Sequence, residues 1–186
     1  AQKIGLDVGA AHSALCNPPY IRPGWRSHFG QILEDAGLSG VFPYIKCVPA
    51  DILFIAQNLR FLRPGGKLGL ILPDGIIAGE KCGALRHALT TAHRLERVIE
   101  LPRRMFHGTE AKAYVVVLTK QGKPADAIAL QRLEADGSLT GTLELAVDEA
   151  TSRLDYSFHC APAQNLPNRR GRATLRELGA TVARGS

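Results

Sequence analysis

No apolar run in this chain of 186 residues approaches the roughly 20 residues of a bilayer-crossing helix, which excludes a helical membrane span. No signal peptide opens it, because Ala1-Gln2-Lys3 leads into no apolar core of the required length. Cysteine is scarce. Cys16, Cys47, Cys82 and Cys160 are widely spaced and form no CxxC pair, which argues against a metal site. They read as free thiols in a reducing cytoplasm. The six histidines show no ligand spacing, and His159 beside Cys160 is an isolated pair. Methionine occurs once, at Met105, and no initiator Met is present, so the chain reads as a piece cut from a longer protein. Internal repeats and low-complexity segments are absent. What remains is an ordinary soluble composition, 45% hydrophobic and 22% charged, with enough length for one sizeable core plus an appendage. A net charge of +6 suits a polyanionic partner without demanding one.

The patterning alternates between two periods. Ala14-Leu15-Cys16 is a short apolar stretch that ends at Asn17. Pro49-Ala50-Asp51 opens a helix with Asp51 as its N-cap, and Ile52, Leu53, Ile55, Ala56, Leu59 and Leu62 follow at helical spacing. Arg63-Pro64-Gly65-Gly66 stops it. Lys67 to Pro73 reads as a buried parallel strand, Asp74-Gly75 as a turn, and Cys82 to Thr91 as a second helix. Arg94 to Leu101 and the β-branched run Ala113 to Thr119 read as strands with no helix between them, hence an antiparallel hairpin on the sheet edge. Ala127 to Leu133 and Leu139 to Val147 read as short strands around Asp136-Gly137. Ala161 to Arg172, rich in Pro, Asn and Arg, reads as a linker. The fold class is α/β, with a largely parallel sheet.

The chemistry concentrates at Asn17-Pro18-Pro19-Tyr20. The Asn17 amide oxygen is an acceptor. Two prolines stiffen the turn and leave its carbonyls free to face a ligand. Tyr20 offers a flat face for stacking. Two acceptors and a face are what an exocyclic amine on a planar base requires, although Asn and Pro also make ordinary turns.

This motif resembles motif IV of the S-adenosylmethionine-dependent amino-methyltransferases, above all the adenine-N6 DNA methyltransferases. Further stretches are similar to that family, including type I restriction-modification modification subunits and fused type II-like methylases. They are Phe61 to Gly75, then Leu95-Glu96-Arg97-Val98-Ile99-Glu100-Leu101-Pro102, then Phe106 to Lys120. The resemblance covers residues 12 to 120. It implies a partial Rossmann-like methyltransferase sheet ending in an antiparallel hairpin and followed by an irregular tail. It divides the chain into the C-terminal half of a catalytic domain at 1–122, a small β-rich extension at 123–160, and a linker with the start of a target-recognition domain at 161–186. Ser152 to Tyr156 resembles the segment after the catalytic domain, and Leu175 to Gly179 with Arg184-Gly185-Ser186 the opening of the recognition domain.

The resemblance also implies roles. Asn17, Pro18, Pro19 and Tyr20 are the catalytic set, and Tyr20 and Phe106 stack on a base flipped out of the duplex. Arg103, Arg104, Lys112, Arg169, Arg170 and Arg172 are candidates for the DNA backbone. The partners are double-stranded DNA and specificity and restriction subunits, in the cytoplasm, with no membrane. S-adenosylmethionine is the cofactor of the parent protein. Its Gly-rich turn lies upstream of motif IV in this family. Leu6-Asp7-Val8-Gly9-Ala10 sits too close to Asn17 to be that turn, because two crossovers need far more chain. The cofactor half is therefore expected to be absent, and the fragment inactive alone. An RNA or protein-glutamine methyltransferase, and a non-catalytic DNA- or partner-binding fragment, are the alternatives. His12, His28 and His107 lie near the motif without a required role, and Trp25 lies in the loop after the motif, which in the resembled family can close over DNA or cofactor.

Overall fold

In the computed structural model, residues 7–19, 21, 23–24, 26–41, 48–106 and 110–161 are described. Six strands form one mixed sheet: β1 (Ala11–Cys16), β2 (Leu62–Pro73), β3 (Arg94–Glu100), β4 (Ala113–Thr119), β5 (Ala127–Leu133) and β6 (Leu139–Ala146). Their spatial order is β1-β2-β4-β3-β5-β6. β1 runs parallel to β2, and β3 parallel to β5, while β4 is antiparallel to both its neighbours and β6 to β5. Helices α1 (Phe29–Asp35), α2 (Ala50–Phe61), α3 (Asp74–Ile77), α4 (Gly83–Thr91) and α5 (Tyr156–Cys160) complete the described elements, with 3₁₀ turns at Glu80–Cys82 and Glu149–Thr151. No described helix is long and apolar enough to cross a membrane.

The core follows from strand parity. Leu68, Leu70 and Leu72 of β2, Tyr114, Val116 and Leu118 of β4, and Ile128 and Leu130 of β5 are buried in one cluster with Ile52, Ile55 and Leu59 of α2 and Leu85 and Leu89 of α4. Side chains alternate across a strand, so these residues share one face, and the helices cover it.

The expected β3–β4 hairpin does form, but it does not lie at the sheet edge. β4 inserts between β2 and β3, and β5 and β6 extend the same sheet beyond β3. The most β-branched strand thereby takes a central position, where neighbours on both sides satisfy its backbone. Two local expectations also change. Asp51 is not the N-cap of α2, because Pro49 holds that position; the buried Asp51 carboxylate sits in the first turn and accepts the Ile52 N–H at 2.8 Å. Asp74-Gly75 is not a bare turn but opens the short helix α3.

The Pro64-Gly65-Gly66 stretch lies within β2 rather than ahead of the strand as the stop of α2. α2 ends at Phe61, and the β1–β2 register jumps from Ala11↔Leu62 to Ser13↔Lys67. The extra residues bulge toward the β4 end, where Gly65 adopts φ +76° and donates to Lys120 O at 2.8 Å. The buried Lys120 ammonium donates back to Leu62 O at 2.7 Å. A Cβ on Gly66 would meet Arg63 O at 2.9 Å and His12 O at 3.1 Å, both backbone atoms that cannot rotate away. A Cβ on Gly69 would meet only the tip of Leu15, a side chain 90% exposed. Gly66→Ala is therefore expected to cost about 1–3 kcal/mol and Gly69→Ala less than about 0.5 kcal/mol, read as the two midpoints of urea unfolding.

His93 is fixed by geometry in its neutral form. Its Nδ1 accepts the Gln121 N–H at 3.1 Å, and its Nε2 lies 3.2 Å from Ala36 O, to which only a protonated Nε2 can donate. Burial lowers its pKa from the ordinary value, in keeping with that tautomer.

Candidate functional site at the carboxyl edge of the sheet

Four parallel strands, β1, β2, β3 and β5, deliver their carboxyl ends to one edge, and β4 begins there. In open α/β sheets this edge is where ligands bind. Asn17, exposed, leaves β1 at this edge, followed by the buried Pro18 and the exposed Pro19. The motif thus sits at the end of a strand, as its sequence implies. Tyr20 and Trp25 lie outside the described residues, as do Cys47, His107, and Arg169, Arg170 and Arg172 of the proposed linker.

The segment after the motif is tied to α2. Ala50 N–H donates to Ile21 O at 3.0 Å, which brings the start of α2 beside the motif loop. Pro73, Gly75, Asp51 and Ile52 then line a cleft of about 650 Å³ between the start of α2 and the chain leaving β2. Of Pro73-Asp74-Gly75, Pro73 and Gly75 form part of the wall of that cleft. Asp51 faces the same space, and burial raises its pKa against the opposing hydrogen bond from Ile52.

A hydrogen-bonded chain crosses the edge from β2 to α5. Tyr114, fully buried, donates its hydroxyl to Asp74 Oδ1 at 2.8 Å. Burial first, and then that bond to a carboxylate, pushes the phenol well above its ordinary range and holds it protonated. Lys112 Nζ lies 3.3 Å from the same hydroxyl and 3.0 Å from Glu100 Oε1. Glu100, only 4% exposed, also accepts the Ser157 hydroxyl at 2.7 Å and the Ser157 N–H at 3.0 Å. The Lys112 ammonium is therefore committed to an internal ion pair. Arg103 is exposed. Arg104, with φ +63°, pairs with Glu110 at 2.8 Å, both side chains open to water. Phe106 is half-buried in the loop after β3. At ~4.8 Å per strand, β3 lies about 14 Å from β1, so Phe106 meets a base at Asn17 only if its loop reaches back over β4 and β2.

Glu100, Ser157, Tyr114 and Arg132 were not singled out by sequence reading. The one signal for Glu100 is parity, since it shares the inward face of β3 with Val98. Its environment has a measurable consequence. Burial alone would raise the Glu100 carboxyl, but the Ser157 hydroxyl, the Ser157 N–H and Lys112 outweigh it and bring the pKa below its ordinary 4.5. A carboxylate with a depressed folded pKa stabilises the fold above the unfolded value. That contribution is lost as pH falls from about 4.5 through the lower folded value. Thermal melts between pH 7 and 3 are expected to show this acid loss, and Ser157→Ala to reduce it; equal acid limbs in the two proteins would remove Glu100 from the account.

A cofactor with a sulfonium and a ribose diol needs a backbone cradle and a free carboxylate at such an edge. Asp74 and Glu100 are both engaged, and Gly9 (φ +76°) lies in the turn before β1, at the opposite end of that strand.

The sheet order, the central antiparallel strand and the motif at the end of β1 define the S-adenosylmethionine-dependent methyltransferase fold. The family model described as N-6 DNA Methylase matches residues 6–139, and the chain belongs to that family, covering part of the catalytic domain. Solved structures agree on the fold. The type I restriction-modification methyltransferase subunit from Streptococcus thermophilus aligns with a TM-score of 0.55 at 20% identity, over 81% of this chain and 32% of its own. A protein described as a type I restriction enzyme modification subunit from Vibrio vulnificus YJ016 gives 0.52 at 18%, over 66% and 25%. A protein described as a class I S-adenosylmethionine-dependent methyltransferase from Listeria monocytogenes gives 0.52 at 22%, over 67% and 37%. The chain thus spans a quarter to little more than a third of these relatives. No curated protein matches.

Proposed function

We propose that this chain is the target-amine half of a DNA methyltransferase that transfers a methyl group from S-adenosylmethionine to adenine N6 in a restriction-modification system. The single observation that carries the reading is the position of Asn17-Pro18-Pro19 at the carboxyl end of β1, on the edge where such sheets bind their ligands. The adenine amine is a weak nucleophile because its lone pair is delocalised into the ring. The Asn17 amide oxygen and the Pro18 carbonyl accept its two hydrogens, favour a more tetrahedral nitrogen and expose the lone pair. Tyr20 stacks on the flipped ring, and Phe106 approaches it from the loop after β3. This is positioning and electrostatic stabilisation, with no strong base required. S-adenosylmethionine supplies the methyl group in the parent protein; the fragment alone is not expected to turn over.

The test uses the full-length parent, duplex DNA and methyl-labelled S-adenosylmethionine, with digestion of the DNA to nucleosides. Label in N6-methyladenine, lost in Asn17→Ala, supports the reading. Cofactor binding without label in DNA overturns it and moves RNA or a protein glutamine to the front.

A further inference from the structure

Beside the motif's end of the sheet, a second feature gathers Arg132, Glu100 and Ser157, to which no role is given above, around the backbone candidates Arg103 and Lys112. A cleft of about 430 Å³ opens at the carboxyl ends of β3 and β5, lined by Glu100, Arg103, Lys112, Arg132, Glu134 and Ser157 among others. Three cations and two carboxylates meet there. Glu100 lies at its base, buried and saturated by Ser157 and Lys112. It acts as an internal counter-charge, which leaves the cations in place without presenting a bare carboxylate to a ligand. Glu134, at the rim, accepts the Thr140 hydroxyl at 2.6 Å.

Arg132 is the distinctive member. Its Nη2 donates to Ser157 Oγ at 2.6 Å and lies 3.8 Å from Glu100 Oε1. Its guanidinium also sits 5.8 Å from the Tyr156 ring centroid, which orients the plane. The side chain nevertheless remains 42% exposed. A guanidinium carries five N–H donors, so anchoring one leaves others for a bidentate partner. Arg103, exposed and lining the same cleft, adds a second cation.

We infer that this cleft binds a phosphate of the DNA backbone through Arg132 and Arg103, with Glu100 and Ser157 positioning Arg132. The inference rests on the proposed DNA substrate. β3 and β5 lie three and four strands from β1, about 14–19 Å from Asn17 at ~4.8 Å per strand. A phosphate contact there positions the duplex and carries no sequence information.

The experiment measures binding of duplex DNA by the full-length parent from 50 to 300 mM salt, for wild type, Arg103→Gln, Arg132→Gln, the double variant and Arg132→Lys. Each lost contact is expected to reduce the slope of log affinity against log salt by about 0.9, and the double variant by about 1.8, equally on unrelated sequences. Arg132→Lys keeps the charge and is expected to keep the slope, which separates charge loss from misfolding. A methylphosphonate scanned along both strands of the duplex is expected to weaken wild type at a position where it leaves the double variant unaffected. Slopes equal to wild type overturn the cleft assignment even when wild type methylates DNA. Reduced slopes without DNA methylation retain the cleft and overturn the catalytic reading alone.

Discussion

Replacing Arg86 with methionine is expected to cost about 4 kcal/mol of stability, within the range for breaking a buried charged network. Arg86 is 1% exposed and sits on α4. Its Nη1 donates to Ile76 O and Gly79 O at 2.7 and 2.9 Å, its Nη2 to Thr151 O and Ser152 O at 2.9 and 2.8 Å, and its Nε to Thr151 O at 3.2 Å. All five N–H donors of the guanidinium are used, each on a backbone carbonyl. Methionine fills similar volume but leaves four carbonyls to find water or go without, at about 1–3 kcal/mol for each that stays buried. Lysine has three donors and a point charge, so Arg86→Lys is expected to recover only part of the loss. The damage should be directional. Arg86 joins the chain leaving β2 at Ile76 to the segment at Thr151, and Leu154 N–H bonds Ile77 O at 3.1 Å beside it. Urea unfolding gives the magnitude, and hydrogen exchange should show Leu154 losing protection before β4 does. A midpoint shift under about 1 kcal/mol would mean that water replaces the guanidinium freely.

Asn17→Ala in the full-length parent is expected to lower kcat about 10²–10³-fold, close to the effect of deleting one preorganised hydrogen-bond partner of a developing charge. The reason is differential. The amine needs its second acceptor most when nitrogen becomes tetrahedral, so the loss falls on the transition state and KM should change little. Urea unfolding of the same variant, run in parallel, separates this kinetic loss from any loss of stability. A rise in KM with kcat unchanged would instead make Asn17 a ground-state binding residue. The two variants thus divide the edge: Arg86 holds the wall at Ile76 and Gly79, and Asn17 is the residue proposed to act on the reacting atom.

How much of this is legible before folding varies by element. The boundaries of β4 and β5 coincide with the runs Ala113–Thr119 and Ala127–Leu133, because their apolar and β-branched residues are bounded on both sides by polar and turn-forming ones. α2 is equally plain from Ile52 to Leu59. Pro64-Gly65-Gly66 misleads, since the same residues that stop a helix also make a bulge, and only pairing with β1 and β4 selects the second. Asp51 misleads because a capping residue type lies two positions after Pro49, whose extended backbone takes the cap position itself.

The motif Asn17-Pro18-Pro19-Tyr20, its place after an apolar strand and the α/β class are properties of sequence alone. They depend on neighbours a few residues apart, and periodicity and turn chemistry record them directly. The central place of β4, the five donors of Arg86 spent on carbonyls up to 66 residues away, and the Glu100–Ser157–Lys112–Arg132 cluster are decided only by tertiary structure. Each depends on groups far apart in the chain whose cost of burial is met only when both are present, and no local pattern encodes which distant carbonyl or hydroxyl will arrive.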